Sequence, residues 1–231
     1  ACLANSILAA WVAVALVGTV AGSIAIFCWR GVRHVCATEM PDEMPKRHRG
    51  RAAWYAVIAA SFLFSFGLVP HTLYWFDYLA RDLALGYSVA GWHWTGIGIF
   101  AILGPVAVAW FARRVGTAAA IVVTYLVLAI GLGLPWFAQS TAVLIASTII
   151  FGAQPAASTL LGARARDLGL VEEMPAMMRA TILANGIGSA IAGVVIPKLF
   201  EVTRSYELLF LTGGLAMLLG GLLCLVTSLK R

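Results

Sequence analysis

The sequence predicts an all-α integral membrane protein with seven membrane-spanning helices. Of its 231 residues, 61% are hydrophobic and only 11% are charged, and the mean hydropathy is +0.92. This composition excludes a soluble globular protein and a disordered chain. The apolar residues fall into seven runs of about 20 residues, the length that crosses a hydrocarbon core roughly 30 Å thick. Barrel strands are shorter, so these runs are predicted to be helices.

The seven apolar segments are numbered here from first to seventh in chain order, and polar or charged residues separate them. Their approximate bounds are Leu3 to Trp29, Ala52 to Leu79, Val89 to Ala112, Thr117 to Phe137, Thr141 to Ala163, Ala180 to Phe200 and Tyr206 to Leu229.

Lysine and arginine are unevenly divided between the two ends of these segments. Thirteen of the sixteen lie after the first, third and fifth segments and at the C-terminus, and three lie on the other side. Because cytoplasmic loops collect basic residues, we expect the N-terminus of this chain outside the cytoplasm and the C-terminus inside it. The net charge of +6 is therefore attributed to membrane topology and not to nucleic-acid binding.

The longest polar stretch, residues 30–51, separates the first segment from the other six. It contains Pro41, Pro45 and six of the basic residues, which is typical of a flexible cytoplasmic linker. The chain thus divides into a membrane helix over 1–29, this linker, and a six-helix membrane domain over 52–231. Six helices divide into three and three, the arrangement of an inverted repeat.

The turn between the third and fourth segments reads AWFARRVGT and resembles a known loop motif. The motif is G-x-x-x-D-R-x-G-R of the major facilitator superfamily (MFS), in the copy found in the second half of these transporters. Arg114 and Gly116 match its arginine and second glycine. Ala109, Arg113 and Thr117 stand where the motif has its first glycine, its aspartate and its final arginine. Residues 151–161 and 185–189 are also similar to the second half of bacterial members of this superfamily.

The resemblance covers roughly residues 30–231 and implies a secondary transporter of the bacterial inner membrane. Such a protein moves a small organic solute by alternating access and without covalent chemistry. The driving force is an ion gradient, with protons the expected ion, or the solute's own gradient. The first segment would then be the sixth helix of the first half, and five helices would be missing upstream. The missing N-terminal half is the expected partner, and the chain alone should not transport.

Few side chains that can ionise lie at membrane depth, and His71 is the most prominent of them. Gly67, His71, Tyr74 and Tyr78 share one helix face. This face is predicted either to line a cavity, with His71 as proton acceptor and Tyr74 as hydrogen-bond donor, or to pack with His71 bonded to a neighbouring helix.

Three further residues are candidates for contact with a solute. Trp94 lies in a Trp-His-Trp triplet, where tryptophans either anchor the helix at the membrane interface or face the same cavity as His71. Gln154 and Asn185 either bond a neighbouring helix or bind a ligand. The MFS resemblance favours the ligand role for Gln154, because the equivalents of the fifth and sixth segments contribute to the substrate cavity.

Two groups of residues are candidates for gating. The resemblance assigns Arg113, Arg114 and Gly116 to a cytoplasmic gating turn. At the opposite end, Asp77 and Arg81 are four residues apart and close enough to pair. They form either an outer gate or a simple polar boundary.

No motif predicts an enzyme, a cofactor or a metal site. The patterns G-x-x-x-x-G-K-[ST], H-E-x-x-H and G-x-S-x-G are absent, and the four cysteines show no C-x-x-C spacing. Two alternatives to transport stay open. One is a seven-helix scaffold or receptor, and the other is a haem-binding electron carrier with His71 and His93 as axial ligands.

Overall fold

The computed structural model describes residues 51–168 and 174–229, together with 12, 15, 16, 18–20, 22–24, 26 and 27. The chain forms two compact units, Ala1–Pro45 and Lys46–Arg231. In the first unit every described residue is helical, and this helix is named α1. The predicted linker lies outside the described residues except for Arg51.

The second unit is built from helices α2 to α8, and no strand occurs among the residues described. Six helical stretches of the described chain are long and apolar enough to cross a membrane, and they correspond to the second to seventh predicted segments. The all-α membrane fold is therefore confirmed. The helices are α2 (Arg51–Asp77), α3 (Gly86–Val115), α4 (Thr117–Phe137), α5 (Thr141–Gly152), α6 (Pro155–Leu168), α7 (Met174–Thr203) and α8 (Tyr206–Leu229).

The fifth predicted segment differs from the single helix expected, because it is divided into α5 and α6. α5 ends at Gly152, and Ala153 and Gln154 form a turn before α6 begins at Pro155. Pro155 has no backbone N–H and stands at the first position of α6, where a helix needs none. α2, α3 and α7 continue through Pro70, Pro105 and Pro197, so a proline alone does not end a helix in this bundle. At the break the N–H of Ala156 donates to the carbonyl of Ala153 at 3.1 Å, a tighter turn than in an α-helix.

The second segment is longer than predicted, because α2 continues as a π-helical turn over Tyr78–Asp82. The N–H of Leu83 donates to the carbonyl of Tyr78, five residues earlier, at 2.9 Å. Single π-helical turns are rare and occur mainly where function requires an irregular backbone. This turn carries Arg81 and Asp82 at the exposed end of α2.

The helices form two triplets, the first made of α2, α3 and α4 and the second of the broken span α5–α6, α7 and α8. Each triplet packs extensively on helices of the other. α2, from the first triplet, packs mainly on α7 and α8, whereas α5 and α6, from the second, pack on α3 and α4. α4 and α8, the last helix of each triplet, form the most extensive contact.

Glycines let the helix backbones approach closely at the main contacts. A Cβ on Gly213 of α8 would lie 2.6 Å from the carbonyl oxygen of Gly67 in α2. A Cβ on Gly104 of α3 would lie 2.6 Å from Cα of Ala153, at the break between α5 and α6. Because lipid offers no hydrophobic drive for helix association, such close van der Waals contact is the main source of stability.

A buried tyrosine ties the first triplet together at the centre of the bundle. The hydroxyl of Tyr125 in α4 donates to the carbonyl of Ala60 in α2 at 2.8 Å, and the side chain is fully buried. Gly220 of α8 leaves space for the ring, since a Cβ there would lie 2.5 Å from Cε1 of Tyr125.

α3 and α7 each have a face that is left open. Added Cβ atoms at Gly91 and Gly98 of α3, or at Gly186 and Gly193 of α7, would meet nothing within 4 Å. Large apolar side chains are exposed around these glycines. They are Trp92, Ile99, Ile102 and Val106 on α3, and Ile182, Leu183, Ile187 and Val194 on α7.

The contact at Gly104 yields a first prediction. Gly104→Ala should lower the stability of the purified protein by about 1–3 kcal/mol, because its Cβ forces backbone against backbone at the break. Gly133→Ala is the matched control, since Gly133 is also buried but an added Cβ there meets nothing within 4 Å. Thermal unfolding in detergent measures both, and equal midpoints for the two variants would contradict the role of Gly104.

Candidate functional site

Two consecutive hydroxyl residues of α5 each bind a histidine from a different helix. Nε2 of His71 in α2 lies 3.1 Å from Oγ of Ser147. Nδ1 of His93 in α3 lies 2.5 Å from Oγ1 of Thr148. Ser147 and Thr148 are both buried, and they precede the break in the fifth span by about one and a half turns. α5 is therefore joined to α2 and α3 by polar contacts at the same level of the bundle.

The imidazole of His71 is enclosed by aromatic rings and fully buried. Its centroid lies 4.9 Å from that of Trp75, 5.1 Å from Phe151 and 4.5 Å from Phe210. Nδ1 has no hydrogen-bond partner among the described residues. In this structure His71 faces a neighbouring helix and not open space, and these contacts leave no room for a haem at its ring.

The other members of the His71 face are packed as well. Gly67 contacts Gly213 of α8, and Tyr78 is fully buried against Phe210 at 5.0 Å. Tyr74 is half-buried. Its ring lies 5.2 Å from Phe200 of α7 and 6.0 Å from Tyr206 of α8.

A polar network joins α2 to α8 at the end of the bundle where α2 becomes π-helical. Oδ1 of Asp77 pairs with Arg81 at 3.0 Å, and its Oδ2 accepts a hydrogen bond from the hydroxyl of Tyr206 at 2.5 Å. Nearby, Glu207 accepts hydrogen bonds from Gln139 and Ser205, each at 2.9 Å. Asp77 and Arg81 do pair, and the network extends beyond that pair to α8 and to the connection between α4 and α5.

Gln154 and Asn185 lie apart from the two histidines. Gln154 is half-buried in the turn between α5 and α6. Asn185 lies one turn before Gly188, where α7 touches the backbone of Phe62 in α2, and its Oδ1 is buried without a partner among the described residues. An unpaired amide oxygen at membrane depth is costly unless something else binds it.

Trp94 does not take part in the contact that its neighbour His93 makes with Thr148. His93 turns toward Thr148, whereas Trp94 is 37% exposed and Trp92 is 73% exposed. The described part of the chain contains no hydrogen bond or ring contact between any two of His71, Tyr74, Trp94, Gln154 and Asn185.

The turn between α3 and α4 has the geometry that its glycine requires. Gly116 adopts φ of +83°, which favours glycine, and its N–H donates to the carbonyl of Ala112 at 2.8 Å. The guanidinium of Arg114 lies 4.1 Å above the ring of Trp110, and Arg113 is exposed. An adjoining cavity of about 480 Å³ is lined by this turn and by Arg164.

Three residues of the site were not predicted from the sequence. Ser147 and Thr148 are adjacent hydroxyls inside an apolar run, which is a weak signal because such groups commonly bond their own helix. Tyr206 is the first residue of the seventh segment, and no feature of the sequence around it predicts a hydrogen bond to Asp77. Only helix packing brings these residues to His71, His93 and Asp77.

Comparison with known proteins identifies the family. The family model described as "Uncharacterised MFS-type transporter YbfB" matches residues 2–225. The chain belongs to this family of MFS-type transporters. The resemblance carried by Arg114 and Gly116 is confirmed, and the chain is an integral, multi-pass membrane protein of a transporter family and not of an enzyme family. No curated protein sequence matches the chain.

A solved structure shares the fold. It is described as a crystal structure of a bacterial homologue of the iron transporter ferroportin in an outward-facing state, and it matches with a TM-score of 0.61 and 14% sequence identity. The match covers 86% of this chain and 51% of that chain, so this MFS-type chain spans about half the length of its structural relative. At this identity the likeness shows the fold alone.

The Asp77 network yields a second prediction. Tyr206→Phe should destabilise the protein by about 1 kcal/mol, because it removes a hydrogen bond to a partly buried carboxylate. Asp77→Ala, which removes the accepting oxygen, should also destabilise the protein, and the double variant should cost clearly less than the sum of the two. Tyr55→Phe serves as control, since Tyr55 is exposed on α2, the helix that carries Asp77. Strictly additive unfolding energies would show that the Tyr206 to Asp77 bond contributes nothing.

Proposed function

We propose that this chain is part of a secondary transporter that moves a small organic solute by alternating access. The observation that carries the proposal is the pair of open helix faces on α3 and α7 in a chain of an MFS-type family. Membrane helices pack on one another at surfaces of small residues, where the backbones can approach closely. Faces of this kind on opposite triplets suit a second six-helix half that closes a central cavity between the two.

The partner in this proposal is an N-terminal half that precedes the chain in the complete protein. The chain spans about half of its structural relative, which supports this. α1 is then the sixth helix of that first half, and residues 30–51 are the cytoplasmic linker between the halves. Five further helices lie upstream, and the chain alone does not transport.

The proposed location is the bacterial inner membrane, with the N-terminus of this chain outside and the C-terminus in the cytoplasm. The distribution of basic residues supports this orientation, with thirteen on one side and three on the other. Under it, the Asp77 network is at the outer end of the bundle and the Arg114 turn at the cytoplasmic end.

The proposed solute cavity faces the missing half. Gln154, in the break of the fifth span, and Asn185, with its unpaired oxygen, are the polar groups best suited to bind a solute. Trp94 and Tyr74 supply aromatic surface at the outer side. His71 is assigned to the joint that holds α2 against α5 beside this cavity, through its hydrogen bond with Ser147.

The two ends of the bundle are the proposed gates. At the outer end, Asp77 links Arg81 to Tyr206, so movement of α2 away from α8 breaks charged hydrogen bonds. At the cytoplasmic end, Gly116 supplies the tight turn, and Arg113 and Arg114 supply positive charge. Nothing among the described residues favours the scaffold or the haem-carrier alternative.

The proposed function is tested with the complete gene. The reading frame upstream of Ala1 should encode five more apolar runs of about 20 residues. Membrane vesicles that contain the complete protein should then accumulate at least one solute from a panel of labelled neutral and weakly acidic organic compounds under an imposed proton gradient. A protonophore should abolish the accumulation. Vesicles without the gene are the control. A frame without further helices, or no accumulation across the panel, would refute the proposal.

The open face of α7 yields a further prediction. Ser189 is exposed on α7 between Gly186 and Gly193, three residues after the first and four before the second. Ser189→Trp should reduce solute accumulation by the complete protein at least about tenfold, because a large ring at this position keeps the halves apart. Ile130→Trp is the matched control, since Ile130 is 62% exposed on α4, a helix outside the proposed docking faces, and should leave accumulation within about twofold. Equal effects of the two substitutions at equal membrane abundance would contradict docking on α7.

A further inference from the structure

The hydrogen bonds around His93 determine which of its nitrogens carries a hydrogen. Oγ1 of Thr148 donates to the carbonyl oxygen of Leu144 at 2.9 Å, and the same Oγ1 lies 2.5 Å from Nδ1 of His93. A hydroxyl has one hydrogen, and a carbonyl oxygen can only accept. Both bonds therefore form together only when Nδ1 of His93 carries a hydrogen and donates it to Thr148.

This arrangement leaves the other ring nitrogen ready to accept a proton. A neutral imidazole has one N–H, so a hydrogen on Nδ1 leaves a free lone pair on Nε2. The side chain of His93 is only half-buried. Binding of a proton at Nε2 keeps the bond from Nδ1 to Thr148 intact, since both nitrogens are donors in the charged ring.

His71 is unsuited to the same task in this structure. Its ring is fully buried, and its described contacts are Ser147 and three aromatic rings. No carboxylate contacts it among the described residues. A charge in such an apolar enclosure is costly without a partner of opposite charge.

The surroundings of His93 contain few other titratable groups. α5 has none in its sequence, and α3 has none between Tyr87 and Arg113 apart from His93 itself. α2 contacts the ring through Trp75, at 6.2 Å between centroids. His71 and Tyr78 both lie against the same indole, Tyr78 at 5.8 Å between ring centroids. The π-helical turn that carries Tyr78, Arg81 and Asp82 also packs on α3.

We propose that Nε2 of His93 is the proton-binding site of this half of the transporter and that Thr148 is its positioning residue. This assignment rests on the proposed proton-linked function and names the residue that takes up the proton, while His71 stays neutral and joins α2 to α5. The proton enters and leaves at Nε2, and no bond other than N–H is made or broken.

The site is tested by nuclear magnetic resonance of the complete protein in lipid nanodiscs with ¹⁵N-labelled histidine. His93→Gln and His71→Gln identify the two signals. At high pH the His93 signal should be that of the Nδ1–H tautomer, and on acidification it should change to that of the charged ring. The His71 signal should stay neutral at the pH at which His93 becomes charged. An Nε2–H tautomer at His93, or a charge change at His71 instead, would overturn the proposal.

The positioning role of Thr148 is tested by removing its hydroxyl in one variant and keeping the hydroxyl in another. Thr148→Val should shift the tautomers of His93 several-fold toward Nε2–H, and Thr148→Ser, which keeps the hydroxyl, should restore the original ratio. Ser147→Ala is the matched control and should leave His93 unchanged. An unchanged ratio in Thr148→Val would exclude the positioning role. These measurements use no solute, so failure of the proton site is distinguishable from failure of solute accumulation in vesicles.

Discussion

Close contact between helix backbones is the constraint on which the rest of this bundle depends. Lipid tails are as apolar as the helix surfaces, so no hydrophobic drive brings the helices together and van der Waals contact must do so. Gly67 and Gly213 bring α2 against α8, and Gly104 brings α3 against the break between α5 and α6. Because these contacts set the position of α2 and α3, they also decide which side chains meet.

The polar contacts are consequences of that packing. With α2 held against α8, Asp77 comes within reach of Tyr206. With α2 and α3 both close to α5, the two histidines reach consecutive hydroxyls, Ser147 and Thr148. Each polar group at membrane depth needs a partner. These bonds therefore add specificity to an arrangement that glycine contacts make possible, and they link helices of both triplets at one level of the bundle.

The irregular backbone is concentrated at the same places. The fifth span breaks at Pro155, close to the hydroxyls that bind the histidines, and α2 becomes π-helical at the network around Asp77. Discontinuous helices near polar groups are common in secondary transporters, because they provide backbone and side-chain groups that a regular helix keeps bonded to itself. The open faces of α3 and α7 place this machinery next to the surface where a second half is proposed to dock.

The sequence by itself determined the fold class, the positions of the six spans in the second unit, and the family. Length and hydropathy are local properties of a lipid-crossing helix, so α4 and α8 could be predicted with their exact bounds, and Arg114 and Gly116 carried the resemblance. Only the tertiary structure decided that His71 is enclosed by aromatic rings, that His93 pairs with Thr148, and that Asp77 bonds Tyr206. The reason is physical: the rotation of an apolar helix about its own axis is set by contacts with its neighbours, and in a membrane those contacts come from small residues throughout the bundle and leave little periodic signal in the sequence.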